Sequence, residues 1–371
     1  VTEPRRVVVI GTGLIGTSVA LALRERGTAV WLADRDPAAA RLAADMGAGA
    51  VLDGPPWQPP GGEPADMAVL AVPPSAVAPT LAQAQAQRLA RWYTDVASVK
   101  AALLAQAREL GCDLASFAPG HPLSGRERSG PAAARADLFL GRPWVICPGP
   151  DNSGAVQAVA ALAAACGAEP VRASAAEHDR WVALVSHAPH VVSAAMAARL
   201  TQSSDGALAL AGQGLRDVTR IAAGDTGPWT QILAANAAPV ADVLAAVAAD
   251  LTAAAEALAQ AAARDDPGWP PPALKALVAL LDQGCAGVAR IPGKRGSPAK
   301  ADAVVQVVIR DLPGELARLF EAAGRAGVNI EDIGIEHSPG LPVGVAELTV
   351  CPAAVPSLTQ ALAAGGWPVR G

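Results

Sequence analysis

Four of the five histidines in this 371-residue chain fall between positions 121 and 190. Imidazole is the side chain best suited to exchange protons near neutral pH. His121 stands in Gly120-His121-Pro122-Leu123-Ser124-Gly125, which reads as a loop framed by Gly and Pro. Ser186-His187-Ala188-Pro189-His190 sets Ser186 and His190 four apart, on one helical face, with Pro189 expected to bend or restart the helix. Glu177-His178-Asp179 lies just upstream. In Arg216-Asp217-Val218-Thr219-Arg220-Ile221-Ala222, Asp217 and Arg220 are three apart and share a face. Arg220 lies in an apolar stretch, where its guanidinium needs either Asp217 or a ligand carboxylate as partner. Ser98, in Asp95-Val96-Ala97-Ser98-Val99-Lys100, reads as the N-cap of a helix over 99–110, a role compatible with a bond to a substrate or to His121.

A second kind of chemistry is written at the N-terminus. The apolar run Val7-Val8-Val9-Ile10 leads into Gly11-Thr12-Gly13-Leu14-Ile15-Gly16, a G-x-G-x-x-G turn that opens a helix. Gly11 permits the tight turn, Gly13 lets a pyrophosphate approach the backbone, and Gly16 lets helix and strand pack closely. The helix start then offers free N–H groups and a positive dipole end to phosphate, with the backbone of Leu14 and Ile15 facing the ligand. Asp34 closes the second strand, where an acid binds ribose hydroxyls and repels a 2′-phosphate. That favours NAD over NADP, with the neighbouring Arg35 pulling the other way.

These groups need a scaffold, and the chain predicts one in three parts. Up to residue 172, short apolar runs (7–10, 29–33, 67–72, 92–96, 144–147) alternate with helical patterns (14–26, 38–46, 75–89), which implies a parallel sheet wrapped by helices. Residues 53–64, rich in Pro and Gly, form a surface loop. From 173 to 290 the strand signal vanishes and Ala/Leu/Val segments predict an all-helical domain. Residues 291–300 have the Gly/Pro/Lys content of a tether. Residues 301–371 follow a β-α-β-β-α-β order, a small α+β unit of ferredoxin-like type. The fold class is thus α/β, a Rossmann dinucleotide domain followed by an all-α domain and an α+β domain.

Composition narrows the function classes. Hydrophobic residues are 51% and charged residues 17%, against about 25% in an average soluble protein, which excludes a disordered chain. Roughly a quarter of the residues are Ala. The net charge of −5, with no basic tract, argues against nucleic acid as a partner. The five Cys lie far apart and predict reduced thiols, with no metal-ligand spacing and no Ser-His-Asp arrangement. Residues 1–6 run straight into a strand without a targeting pattern, and the Ala-rich stretch 234–263 carries enough polar residues to read as packed helices and not a membrane span. The expected location is cytoplasmic.

Taken in order, the Gly11–Gly16 loop, Asp95–Lys100, Gly120–Gly125, Glu177–Asp179, Ser186–His190, Arg216–Ala222 and Trp229 make the chain resemble the prephenate/arogenate dehydrogenases of tyrosine biosynthesis, over residues 1 to about 290. The tail, with Asp311-Leu312-Pro313-Gly314-Glu315-Leu316 and Gly327-Val328-Asn329-Ile330, looks like an ACT domain, a small amino-acid-binding regulatory module. The resemblance implies NAD-dependent oxidative decarboxylation of prephenate, or of arogenate, by a homodimer formed through the helical domain, with a possible amino-acid effector at the tail. It implies that His121 accepts the hydrogen bond of the 4-hydroxyl and that Ser98 orients His121. Arg220 would bind the ring carboxylate, His190 and Ser186 would face the side chain, Trp229 would line the pocket and Asp217 would position Arg220. Gln213, where the family often has Gly, leaves the choice between a keto and an amino side chain open. The short strand before Gly371 suggests an effector site that is incomplete or completed by a partner subunit. Two other readings are a Rossmann-plus-helical dehydrogenase of hydroxy acids, disfavoured by the His121 and Arg220 motifs, and a non-catalytic NAD- or amino-acid-responsive regulator.

Overall fold

A computed structural model describes residues 3–52, 57–124, 129–263, 274–291, 303–337 and 342–370. Gly125, residues 264–273 and nearly all of the expected 291–300 tether lie outside them. The chain divides into two compact units, Val1–Val247 and Ala248–Gly371.

The first unit opens with β1 (Arg6–Ile10), α1 (Leu14–Glu25), β2 (Ala29–Ala33), α2 (Pro37–Asp45), β3 (Ala50–Val51), β4 (Ala65–Leu70), α3 (Pro74–Ala86), β5 (Ala90–Asp95) and α4 (Ala101–Glu109). Their strands form a parallel sheet in the order β3-β2-β1-β4-β5. The Val-rich strands are buried on both faces, as parallel strands must be. In β1, Val7 and Val9 join a core with Val19 and Leu23 of α1, while Val8 and Ile10 face Val77 and Leu81 of α3 and Leu103 of α4. Each fully buried Val or Leu contributes about 1.5–3 kcal/mol to this packing. The strand order reverses between β1 and β4, and the crevice outside their carboxyl ends is where such folds bind ligands.

A second, three-stranded sheet follows, built from β6 (Gly120–Pro122), β7 (Pro143–Ile146) and, after α5 (Ser153–Ala165), β8 (Glu169–Arg172). The segment around His121 is therefore a strand, antiparallel to β7, and not the expected loop. Three residues between glycine and proline are too few to show an alternating pattern, so β6 has no sequence signature; β3 and β8 escape for the same reason of length or exposure. Ser98 is also placed differently from its expected N-cap role. α4 starts at Ala101, and the Asp179 carboxylate takes the cap's work, accepting from the N–H of Lys100 and of Ala101 at 2.9 and 2.8 Å.

The helical segment contains α6 (Ala175–Val182), a π-helical turn (Ala183–His187), α7 (Ala188–Ala198), α8 (Asp205–Leu208), α9 (Gln213–Thr219), a 3₁₀ turn (Arg220–Ala223), α10 (Thr226–Ala235) and α11 (Ala237–Ala262). Pro189 lacks an N–H for the preceding turn, and the helix widens to a π turn just before it. The runs Ala175–Gln202 and Ala237–Ala262 are long and apolar enough to cross a membrane by length and composition alone. The first buries His178, Asp179, His187 and His190 among protein partners, which suits packed helices. Trp181, Leu184 and Val185 remain exposed on it.

The second unit contains α12 (Lys275–Val288), β9 (Ala303–Arg310), α13 (Glu315–Arg325), β10 (Ile330–His337), β11 (Val343–Val350), α14 (Val355–Ala364) and β12 (Val369–Arg370). The strands form an antiparallel sheet in the order β10-β11-β9-β12. Alternation along β9 turns Val305, Val307 and Ile309 inward, against Leu319 of α13 and Leu358 and Leu362 of α14. Glu315 is buried at the start of α13. It accepts from Trp367 Nε1 and Arg318 Nη1, both at 2.8 Å, and these contacts hold its carboxyl below the usual range.

Candidate functional site

The Gly-rich loop has the geometry its sequence requires. Gly11 has φ +101°, and a Cβ there would lie 2.2 Å from the Ala71 carbonyl oxygen. A Cβ on Gly16 would lie 1.9 Å from the Gly11 carbonyl oxygen. Gly13 differs: its φ is −70°, and nothing stands within 4 Å of where its Cβ would be. The loop thus packs tightly on the protein at Gly11 and Gly16 and leaves an open cradle at Gly13, over the N-terminus of α1 where Leu14 and Ile15 begin the helix. Asp34 closes β2 with its Oδ2 accepting from Thr12 N at 2.6 Å and Thr12 Oγ1 at 2.8 Å, and its Oδ1 from Asp36 N. This ties the acid to the loop. Arg35 beside it is exposed. These residues fit the phosphates and a ribose of a dinucleotide.

Beyond β5 lies a buried charge pair. Asp95 forms a salt bridge with Lys100, and both are fully buried. Burial pushes the Asp95 carboxyl up, against the pull of the Lys100 ammonium. Asp95 also accepts from the N–H of Ala97 and Gly120. Gly120 can approach because it lacks a side chain: a Cβ would lie 2.8 Å from Trp144 Nε1 and 2.9 Å from the Asp95 carbonyl oxygen. The next residue, His121, is carried in to the same end of the sheet.

His121 is oriented by His178, whose Nε2 lies 2.8 Å from His121 Nδ1. His178 Nδ1 lies 2.8 Å from Asp179 Oδ1. No hydrogen bond joins Ser98 to His121, so the orienting role expected of Ser98 falls to His178; Ser98 stays half-buried between β5 and α4. The group continues into the helical segment. Asn236 Nδ2 donates to the Asp179 carbonyl and lies 3.0 Å from His187 Nδ1. His187 meets Trp229 edge-on, and His190 stacks on Trp229 with ring centroids 3.7 Å apart. Gly224 makes room for that stack, since its Cβ would lie 3.0 Å from Trp229 Nε1 and 3.2 Å from His190 Cε1. Ser75, at the start of α3, donates to Gln231 of α10 at 3.2 Å, which holds α10 and Trp229 beside the carboxyl end of β4.

Three of the four imidazoles at this crevice are shifted toward the neutral form. Burial, and then the Lys100 ammonium, pulls His121 well below its ordinary 6.5. Burial takes His187 down to about 4, and it lowers His190 as well. A neutral histidine with a lone pair, next to a dinucleotide cradle, can take a proton from a hydroxyl as hydride leaves the same carbon.

The other expected residues are more peripheral. Ser186 is exposed on the π turn while His190 is buried, because the widened turn changes the register between them. Arg220 opens the 3₁₀ turn and is exposed, on a segment tied to α7 by the Ser193 hydroxyl donating to the Val218 carbonyl at 2.7 Å. Asp217 and Gln213 are exposed on α9 and bonded to each other, Gln213 Nε2 donating to Asp217 Oδ1 at 2.7 Å. Sequence reasoning assigned no role to Asp179, Lys100, Asn236 or Gly224. Asn236 had a faint signal, as the one polar residue in Ala234-Ala235-Asn236-Ala237-Ala238.

Comparison with known proteins places two successive regions of the chain in one family. Residues 19–172 match the family model of the prephenate dehydrogenase nucleotide-binding domain, and residues 174–266 match that of the prephenate dehydrogenase dimerization domain. The chain is 42% identical over 369 residues to the probable prephenate dehydrogenase NovF of Streptomyces niveus, covering 99% of each. It is similar to the crystal structure of Synechocystis arogenate dehydrogenase, with 26% identity, a TM-score of 0.60, and coverage of 76% of this chain and 98% of that one. It shares the fold of the A. aeolicus prephenate dehydrogenase solved with hydroxyphenyl propionate and NAD+, at 23% identity, a TM-score of 0.66, and coverage of 77% and 98%. With a nucleotide-binding and a dimerization domain matched in order and a relative alike along its whole length, the chain belongs to the prephenate dehydrogenase family of oxidoreductases.

Proposed function

We propose that the chain catalyses the NAD-dependent oxidative decarboxylation of prephenate to 4-hydroxyphenylpyruvate. The observation that carries this reading is His121, held neutral at the carboxyl edge of a dinucleotide sheet and oriented by a second histidine. Gly11, Gly13, Leu14, Ile15 and Gly16 would hold the pyrophosphate, Asp34 a ribose, and Arg35 the rim. When bound, NAD+ supplies the acceptor for the hydride from C4. His121 takes the proton of the 4-hydroxyl as that hydride departs. The bond to the ring carboxylate then breaks, CO2 leaves, and its electron pair completes the aromatic ring, so no metal is needed for driving force.

Ser98 would touch the nicotinamide or the hydroxyl from the end of β5. Arg220 would clamp the ring carboxylate, with Asp217 near it on the preceding helix. His190, stacked on Trp229, and Ser186 would face the pyruvyl side chain. Exposed Trp181, Leu184 and Val185 support a homodimer through residues 173–290. Residues 1–172 would then form the NAD domain, 291–300 a linker and 301–371 an ACT-like module, its antiparallel β-α-β-β-α-β order supporting an amino-acid effector there. Such an enzyme works in the cytoplasm.

Arogenate is the second reading. The Asp217 carboxylate, bonded to Gln213, would pair with an ammonium where prephenate has a ketone. Incubation with NAD+ and each substrate, followed by NADH formation, decides. NADH from prephenate supports the proposal, NADH from arogenate alone favours the second reading, and NADH from neither defeats both. Calorimetric titration of tyrosine into the full chain and into a chain cut near Lys300 tests the effector reading; equal binding by both would place the effector elsewhere.

A further inference from the structure

The hydrogen-bond inventory of Asp179 determines more than the start of α4. Its Oδ2 accepts from Ala101 N at 2.8 Å; its Oδ1 accepts from Lys100 N at 2.9 Å and lies 2.8 Å from His178 Nδ1. Burial would raise this carboxyl, but the bonds from His178, Ala101 and Lys100 outweigh it and hold it below the usual range. An ionised carboxylate only accepts, so the proton of His178 must sit on Nδ1. The Nε2 of a neutral His178 then carries a lone pair. It faces His121 Nδ1 at 2.8 Å, and two lone pairs cannot meet at that distance. With His178 neutral, His121 Nδ1 carries the proton and His121 Nε2 carries none.

We propose that His178 and Asp179 are positioning residues whose shared hydrogen bonds lock His121 into its Nδ1–H tautomer, leaving Nε2 as the proton acceptor of the reaction. The assignment of Nε2 to the substrate hydroxyl rests on the functional reading above; the tautomer itself does not. The lock spans the two matched domains, because His121 comes from β6 and the pair comes from α6. Asp179 also fixes the beginning of α4, beside the Lys100–Asp95 pair. The base is thus set in its working form only when α6 is seated on that turn. The groups facing His121 are Lys100, with its Asp95 partner, and His178, Asp179 and His187. A proton added to His178 at Nε2 would turn that nitrogen into a donor and force His121 to carry its own proton on Nε2, which abolishes the base. The tautomer is the property that a merely structural role would not control.

Two readings test the lock. The first is ring-nitrogen NMR of the full chain labelled with ¹⁵N-histidine, without cofactor or substrate, His121 being assigned by its loss in His121→Asn. Protonated Nδ1 and bare Nε2 on His121 are expected; a proton on Nε2 overturns the proposal, whatever the enzyme's substrate. The second compares His178→Gln with His178→Asn. A Gln carbonyl reaches the position of Nε2 and can accept from His121 Nδ1–H, while an Asn amide reaches only that of Nδ1. His178→Gln should keep kcat within about 10-fold of the parent and His178→Asn should lose about 10²- to 10⁴-fold, with KM little changed in both. Equal kcat in the two variants would overturn the proposal. If wild-type protein makes no NADH from prephenate or arogenate, the functional reading fails while the NMR result still decides the tautomer.

Discussion

Gly13 offers a test in which stability and ligand binding should part company. Its φ of −70° suits any L residue, and no atom lies within 4 Å of its Cβ position. Gly13→Ala should therefore fold as well as the parent, and is expected to gain about 0.4–1 kcal/mol from the stiffer unfolded chain. The space the methyl enters is the cradle at the start of α1. A pyrophosphate there would be pushed off the helix N–H groups, with loss of a charge-assisted bond worth about 1.5–3 kcal/mol. At about 1.4 kcal/mol per tenfold, the Kd for NAD+ should rise about 10- to 100-fold. Gly16→Ala is the contrast. Its methyl would lie 1.9 Å from the Gly11 carbonyl oxygen and 2.8 Å from Ala71 Cβ, so backbone must move, at a cost of about 1–3 kcal/mol. Calorimetric titration of NAD+ gives the affinity and urea unfolding the stability. Wild-type NAD+ affinity in Gly13→Ala would refute the placing of the pyrophosphate at this loop.

Other outcomes follow from the site. His121→Asn removes the proton acceptor and should lower kcat about 10²- to 10⁴-fold with KM nearly unchanged; an unchanged kcat in steady-state assays would remove His121 from the mechanism. Arg220→Ala should raise the substrate KM about 10- to 100-fold through loss of a charged hydrogen bond, and a wild-type KM would make Arg220 structural. Stability should fall on the acid side. Burial lowers His121 well below 6.5 and His187 to about 4, so between pH 6.5 and about 4 the unfolded chain binds more protons than the folded one. Unfolding free energy should then drop, as pH falls through that window, by at most about 1.4 kcal/mol per pH unit for each histidine, less where solvent screens the site. Urea midpoints across that range check the sign, and midpoints that rise toward pH 4 would contradict buried neutral imidazoles.

What the sequence made legible follows from the length scale of each signal. The Rossmann strands and helices were readable because four consecutive apolar residues in Val7–Ile10, or the periodic Leu and Ala of α1, repeat often enough to declare their period. The β-α-β-β-α-β order of the tail was readable for the same reason, through the alternation of Val305, Val307 and Ile309. β6 was not, because three residues carry no period and its pairing with β7 comes from about twenty residues downstream. The dinucleotide loop is a local motif, so Gly11 and Gly16 could be named and their close packing anticipated, whereas the bonds of Asp34 to Thr12 and Asp36 appear only in the folded chain. His178 and Asp179 stood in plain view as part of Glu177-His178-Asp179, yet their task depends on two partners, His121 and the start of α4, that only the folded chain brings near. Ser98 shows the converse error: a serine before a helical pattern satisfies a local capping rule, but a distant carboxylate capped that helix.

On the proposed reading this chain oxidises a cyclohexadienyl substrate with NAD+, with His121 as the base. The most direct measurement is NADH formation by the purified protein with NAD+ and prephenate, beside His121→Asn under the same conditions. Stoichiometric NADH and 4-hydroxyphenylpyruvate are expected from the wild type, with a loss of about 10²-fold or more in the variant. No NADH from prephenate, or equal turnover by the two proteins, would contradict this reading.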